Sequence, residues 1–273
     1  ILEILHAQPD IRDTPGAEPP ASIRGSLEVR ALTFRYPGSR HPALRDISVT
    51  VPAGTTLAIV GHTGSGKSTL IGLIPRLFDP PPGTVFLDGK DVREWPLADL
   101  RRCVGYVPQE TLLFSDTIRE NIAFGCKAAA DDAHLEWAAR VSQISGDIGT
   151  FANGMQTYVG ERGITLSGGQ KQRVAISRAV ATLPKVLIFD DSLSNVDTYT
   201  EERILEELTR LMRDRTTILV SHRISTVRNA HQILVLADGA VVEHGTHESL
   251  MESHGLYADL YQRQLLEEEL AAI

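Results

Sequence analysis

Cysteine is nearly absent: Cys103 and Cys126 are the only two in the chain. They are too few for a disulfide framework and are not spaced as a metal clip, so a reducing, cytosolic setting is the expectation. No uninterrupted apolar run of about 18 residues occurs, which excludes a membrane-spanning helix of ordinary length. No secretory signal pattern is visible. A basic excess is also missing: 27 Lys and Arg stand against 35 Asp and Glu, a formal net charge of −8. Nucleic acid is therefore not expected as a partner. There is no internal repeat and no low-complexity tract. What remains is an ordinary globular composition of 273 residues, 42% hydrophobic and 23% charged, enough for one large domain or two small ones.

The chain begins at Ile1 rather than Met, so an upstream part is expected. Ile1–Leu5 reads as the end of a helix belonging to that part. Residues 10–25 are rich in Pro and charge and read as a linker. Leu27–Tyr36 and Leu44–Val51 then alternate apolar and polar residues, as half-buried antiparallel strands do. Thr55–Val60 is a continuous apolar run between Gly54 and Gly61, the pattern of a buried strand. Lys67–Phe78 reads as a helix stopped by Pro80-Pro81-Pro82. Val85–Asp88 enters a hairpin turn at Asp88-Gly89, and a second hairpin is expected at Asp238-Gly239. Residues from about 110 to 183 are expected to be mostly helical. Beyond them, strands Val186–Asp190, Thr216–Ser221 and Gln232–Leu236 alternate with helix Thr200–Met212, which argues for a parallel sheet covered by helices.

Between the buried strand and the first helix lies Gly61-His62-Thr63-Gly64-Ser65-Gly66-Lys67-Ser68, followed by Thr69. Gly-x-x-x-x-Gly-Lys-Ser in a strand-to-helix context is a phosphate-binding loop. Glycines let the backbone wrap an anion, and successive N–H groups at the helix N-terminus face it. Lys67 is placed for the β- and γ-phosphates of ATP, and Ser68 for Mg²⁺. Val186–Asp190 is an apolar strand ending in an acid, suited to hold the same Mg²⁺ directly or through water.

Leu166-Ser167-Gly168-Gly169-Gln170, followed by Lys171-Gln172-Arg173, is identical to the ABC-transporter signature. The stretch from about residue 26 to 264 resembles an ABC ATPase domain, with the motifs in that family's order, and is most similar to exporter half-transporters of the multidrug, lipid and peptide type. Ser167 is a good N-cap for a helix running toward Leu183. In the family this glycine-opened helix end contacts ATP held by the opposite subunit. The resemblance therefore implies a head-to-tail ATP sandwich with a second ABC ATPase domain. It also implies that Tyr36 stacks on adenine, that Gln109 touches Mg²⁺ or the attacking water, and that His222 contacts the γ-phosphate. Thr157–Gly163 resembles the segment that meets the membrane domain's cytoplasmic helices in exporters, and the upstream linker agrees with a fused membrane domain. The implied place is the cytoplasmic face of the membrane.

The implied fold class is α/β: a P-loop ATPase core with a parallel sheet, an N-terminal antiparallel β subdomain and an inserted helical subdomain. In domain terms, residues 1–25 form the linker, 26–264 the ATPase domain and 265–273 a tail. After Asp190 the family usually has Glu, the presumed base for the attacking water; here it is Asp191. Reference basicities of the two acids differ little, about 3.9 against 4.3. Reach differs more, since Asp is shorter by about 1 Å, and a misplacement of that order can cost about 100-fold in rate. Ser192–Asp197 matches the family's D-loop only loosely. The combination resembles one half of a heterodimeric exporter with a weakened acid; a homodimer that uses Asp191 is the alternative. A stand-alone importer ATPase would lack the linker and the Thr157–Gly163 segment. Chromosome and DNA-repair members carry a long coiled-coil insertion for which the spacing here leaves no room. Translation-associated members carry two such domains in one chain.

Overall fold

The structure, a computed structural model, describes residues 9–126, 131–192, 198–221 and 223–271. Its centre is a six-stranded sheet in the order β10-β9-β3-β8-β7-β6. Five of these strands run parallel: β3 (Thr56–Val60), β6 (Val104–Val107), β7 (Val186–Asp190), β8 (Thr216–Val220) and β9 (Gln232–Ala237). β10 (Ala240–Gly245) returns antiparallel along β9. Every residue of β3, β7 and β8 is buried, which is why these strands read as unbroken apolar runs.

A second, antiparallel sheet holds β1 (Leu27–Phe34), β2 (Leu44–Val51), β4 (Val85–Leu87) and β5 (Lys90–Asp91), in the order β2-β1-β4-β5. Inward residues such as Leu32, Leu44 and Ile47 are fully buried and share one apolar core with β3, β8 and two helices, α1 (Lys67–Leu73) and α2 (Leu97–Cys103). Both Asp-Gly pairs make two-residue hairpins with positive φ at each residue, as this turn chemistry demands.

The inserted helical region comprises α3 (Ile118–Ala123), α4 (Asp132–Val141), α5 (Ser145–Thr150) and the long α6 (Gly168–Ala181), and it forms a second core with α7 (Thr198–Met212) and the other face of the sheet. A third cluster is closed by α8 (Ile224–Val227), α9 (His247–Glu252) and α10 (Leu256–Ala271). Among the described residues no helix is long and apolar enough to cross a membrane.

Two helices end earlier than the sequence pattern predicts. Helix α1 ends at Leu73, well before Pro80. Pro75 has no N–H to continue the ladder. Arg76 then takes a left-handed φ of 53°, with Arg76 N bonded to Leu73 O and Leu77 N to Gly72 O, a Schellman closure. Likewise α6 stops at Ala181, and Leu183 lies at φ 49°. The described part of the linker is also tied down: Asp13 accepts from Leu97 N at the start of α2, Thr14 donates to Arg93 O, and the Arg12 carbonyl accepts from the buried Arg76. Ile1–Leu5 lies outside the described residues.

Candidate functional site

Strand order brings three carboxyl ends together. β8 lies between β3 and β7, and Val220 is in register with both Ile59 and Asp190. Segments leaving such ends of a parallel sheet meet in a crevice that suits a ligand. A cavity of about 340 Å³ lies there, lined by Thr63, Gly64, Gly66, Lys67, Ser68 and Thr69 on one side. Tyr36, Ala43, Gln109, Asp190, Asp191 and Val220 complete its wall. Gly61, His62 and Ser65 of the loop stand outside that lining.

The loop's shape requires its glycines. A Cβ on Gly61 would come within 2.2 Å of the Leu236 carbonyl, and one on Gly66 within 2.8 Å of the Leu44 side chain. Gly66 also sits at φ 103°, and it opens α1 with no side chain capping the first turn. The loop is braced from below by Gly239 N, which donates to Ser65 O. Lys67 is buried and donates to its own loop at Gly61 O (2.8 Å) and His62 O (2.9 Å). Burial lowers its pKa, against the opposing pull of the Asp191 and Asp190 charges.

Asp190 receives one hydrogen bond on each oxygen: Ser68 Oγ donates to Oδ1 at 3.1 Å and the Tyr106 hydroxyl to Oδ2 at 3.2 Å. Burial raises the Asp190 pKa, opposed by these two donors and by Lys67, while Asp191 adds to the rise. A hydroxyl, a carboxylate and the Gln109 amide on one cavity are hard oxygen donors of the kind Mg²⁺ takes. Among the described residues no group of three or more His, Cys, Asp or Glu could hold a metal unaided. The donor set therefore fits an ion that completes its shell with phosphate oxygens and water. Asp191 follows in the left-handed region at φ 45°, its N–H donated to Val220 O.

The signature opens α6 on a different surface. Ser167 caps the helix in a complete capping box: Gln170 N donates to Ser167 Oγ and Ser167 N to Gln170 Oε1. Gln170 Nε2 also donates to Asp147 Oδ1, and Arg173 pairs with the other Asp147 oxygen at 2.6 Å. Ser167 and Gly168 are exposed, and none of Ser167–Gln170 lines the cavity.

Comparison with known proteins agrees with this geometry. The sequence profile described as "ABC transporter" matches residues 44–194, more than half of the chain. The chain belongs to the ABC transporter family. It is 43% identical over 98% of its length to human ATP-binding cassette sub-family B member 6, of which it covers 32%. It is 44% identical over 88% of its length to the ATP-dependent lipid A-core flippase of Salmonella paratyphi A, of which it covers 41%. A bacterial Atm1-family ABC exporter solved with ATP bound superposes with a TM-score of 0.92 at 39% identity, over 97% of this chain and 46% of that one. The chain thus spans about a third to a half of these relatives.

Within the ABC ATPase fold the expected residues fall as follows. The phosphate loop, Asp190, Asp191, Gln109 and Tyr36 converge on one cavity. Tyr36 is half-buried, bonded through its hydroxyl to Thr69 Oγ1 (2.9 Å) and packed edge-on against Phe34 and Phe78. Thr157–Gly163 is pinned to the start of α3, with Ile118 N bonded to Thr157 O and Val159 N to Asp116 O, and Tyr158 and the adjoining Ile164 are exposed. His222 and residues 193–197 of the D-loop lie outside the described residues. Sequence reasoning missed Tyr106, Ala43 and Gly239. The last two reach the loop only through long-range contacts, and Tyr106 lies on a four-residue strand that follows α2 directly, too short a pattern to read.

Proposed function

We propose that this chain is the ATP-hydrolysing domain of an ABC exporter, working with Mg²⁺ at the cytoplasmic face of a membrane and paired with a second ABC ATPase domain. The observation that carries this reading is the convergence of Lys67, Ser68, Asp190 and Gln109 on one cavity at the strand ends. The relatives support the exporter part. A transmembrane domain in the same polypeptide is the partner this reading requires, and the transported substrate is that domain's to choose.

Each residue has a chemical task in this scheme. Lys67 would exchange its two loop carbonyls for phosphate oxygens, and the backbone N–H groups of Gly64 and Gly66 would donate to the same anion. Ser68, Asp190 and Gln109 would hold Mg²⁺, which would neutralise charge on the phosphates. Tyr36 offers its ring to the base. Asp191 would orient the attacking water, and a γ-phosphate contact is the role the resemblance gives His222. Ser167 and Gly168, exposed at the start of α6, together with Gly169 and Gln170 serve the nucleotide of the partner domain, so that binding closes the pair and release reopens it.

Asp191 carries the asymmetric version of this proposal. A side chain one methylene shorter than Glu makes this chain's own site the slow one, holding ATP as glue, while its signature completes a faster site on a partner that has Glu. The test is ATP turnover by the full-length transporter purified with its native partner. Asp191→Glu is expected to raise turnover at this site by 10- to 100-fold. A purified complex containing only copies of this chain, turning over at full speed with no gain from Asp191→Glu, would favour the homodimer and sink the asymmetric reading. Absence of ATP binding by the intact wild-type protein would sink the whole proposal.

A further inference from the structure

We propose that Tyr106 is a positioning residue for the Mg²⁺ site: it holds the Asp190 carboxylate in one orientation and ties that orientation to the strand that leads into Gln109. This inference rests on the reading of the cavity as a Mg²⁺–ATP site. Tyr106 does not line the cavity. Its hydroxyl lies behind Asp190, 3.2 Å from Oδ2, while Ser68 Oγ occupies Oδ1. A carboxylate fixed on both oxygens cannot turn about its Cβ–Cγ bond, so its remaining lone pairs point one way. A phenol is a neutral hydroxyl donor near neutral pH. A Phe would fill the same half-buried space without the cost of desolvating a hydroxyl. The hydroxyl is therefore explained by its acceptor.

The backbone beside it leaves little play. A Cβ on Gly105 would meet Pro184 at 2.8 Å and the Ala179 carbonyl at 3.0 Å, so β6 lies pressed against the end of α6, the signature helix. Along β6, Tyr106 is in register with Ile188 and Val107 with Phe189 of β7, and Gln109 follows two residues past the strand. One short strand thus touches the signature helix, bonds the Mg²⁺-side acid and leads into Gln109. A displacement of β6 against β7 would be felt at the Asp190 carboxylate through the phenol. Such outer partners of metal ligands typically contribute about 10- to 100-fold to metal affinity when removed.

The test is Tyr106→Phe in the full-length protein, reading nucleotide binding with a fluorescent ATP analogue, first in EDTA and then across a Mg²⁺ titration, with Mn²⁺ binding followed by electron paramagnetic resonance. The expected result is a rise of about 10-fold in the Mg²⁺ and Mn²⁺ concentrations needed for half-saturation, with binding in EDTA changed less than about twofold. Binding in EDTA also reports whether the variant is folded. Asp190→Asn serves as the second background, where Tyr106→Phe is expected to add nothing. Equal metal dependence in wild type and Tyr106→Phe would overturn the proposal, as would an equal loss in both backgrounds. A wild type whose nucleotide binding ignores Mg²⁺ would instead overturn the reading of the cavity on which this inference rests.

Discussion

Helix α1 begins at Gly66 with no side chain satisfying its first turn, whereas α6 begins at Ser167 under a complete capping box. Both are opened by glycine, and both present the positive end of a helix. The first lies against a cavity, with Lys67 folded back onto its own loop carbonyls. The second is exposed, closed by Gln170, and moored to α5 through Asp147. The first four N–H groups of a helix need acceptors from somewhere. At α1 no side chain meets it, and on the proposed reading the phosphates of a bound nucleotide do. At α6 the side chains meet part of it, so this end keeps its shape without a ligand and offers Gly168 outward. One terminus is left open toward the cavity, the other is closed by its own side chains.

The largest effect that would test this contrast is at Lys67. Removing the ammonium in Lys67→Ala eliminates charge-assisted hydrogen bonds worth about 1.5–3 kcal/mol each. ATP affinity at the loop is expected to fall by about 100-fold or more, measured by equilibrium dialysis, with the fold retained by circular dichroism. Undiminished affinity would mean that the loop is not the nucleotide's main holder.

A smaller effect is expected at Gln170. Gln170→Ala unmakes the reciprocal half of the cap and the bond to Asp147, at a cost of about 1 kcal/mol. For a domain of this size that lowers Tm by about 2–4 °C. ATP affinity at the chain's own loop should stay within about twofold, while turnover by the assembled transporter drops. Loss of affinity at the chain's own loop would dissolve the distinction between the two helix ends.

Much of this contrast was legible in the residues because its signals are local. The phosphate loop is contiguous, β7 announces itself as four apolar residues followed by Asp190, and Ser167 with Gln170 three residues on spells a capping box. β6 was not legible. Four residues following α2 without a break give too short a pattern to separate strand from helix, and so Tyr106 went unread. The end of α1 is hidden because Pro80–Pro82 is the louder stop signal, while the actual closure depends on a left-handed Arg76, a conformation no residue type there advertises. The linker's composition predicts extended, polar chain, yet its carbonyls and carboxylates find partners some 64 to 84 residues away, at Arg76 and Leu97. Such contacts leave no trace in a local window.

Asp88 gives the smallest and most conditional effect, and it probes the region farthest in character from either helix end. Its carboxylate, at the tip of the β4–β5 hairpin, accepts from Arg24 N (2.8 Å), Gly25 N (3.0 Å), Ser26 N (2.8 Å) and Ser26 Oγ (3.0 Å), clamping the linker's exit onto the antiparallel sheet. Burial pushes its pKa up, but the hydrogen bonds from Gly25, Ser26 and Arg24 outweigh that, and the net shift is downward. A carboxyl with a folded pKa below its unfolded one adds stability above the ordinary carboxylate range and loses it as pH falls through the folded value. Asp88→Asn keeps the left-handed turn, since Asn tolerates positive φ, and weakens only the charge-assisted part. At pH 7 the variant is expected to be less stable by about 1 kcal/mol, discounted for the clamp's exposure to solvent. The gap should close as pH drops below about 4, read as paired thermal melts across pH. A gap that persists unchanged in acid would show that the clamp works through shape rather than charge. ATP binding should be indifferent to the change at either pH, because this surface belongs to neither helix end.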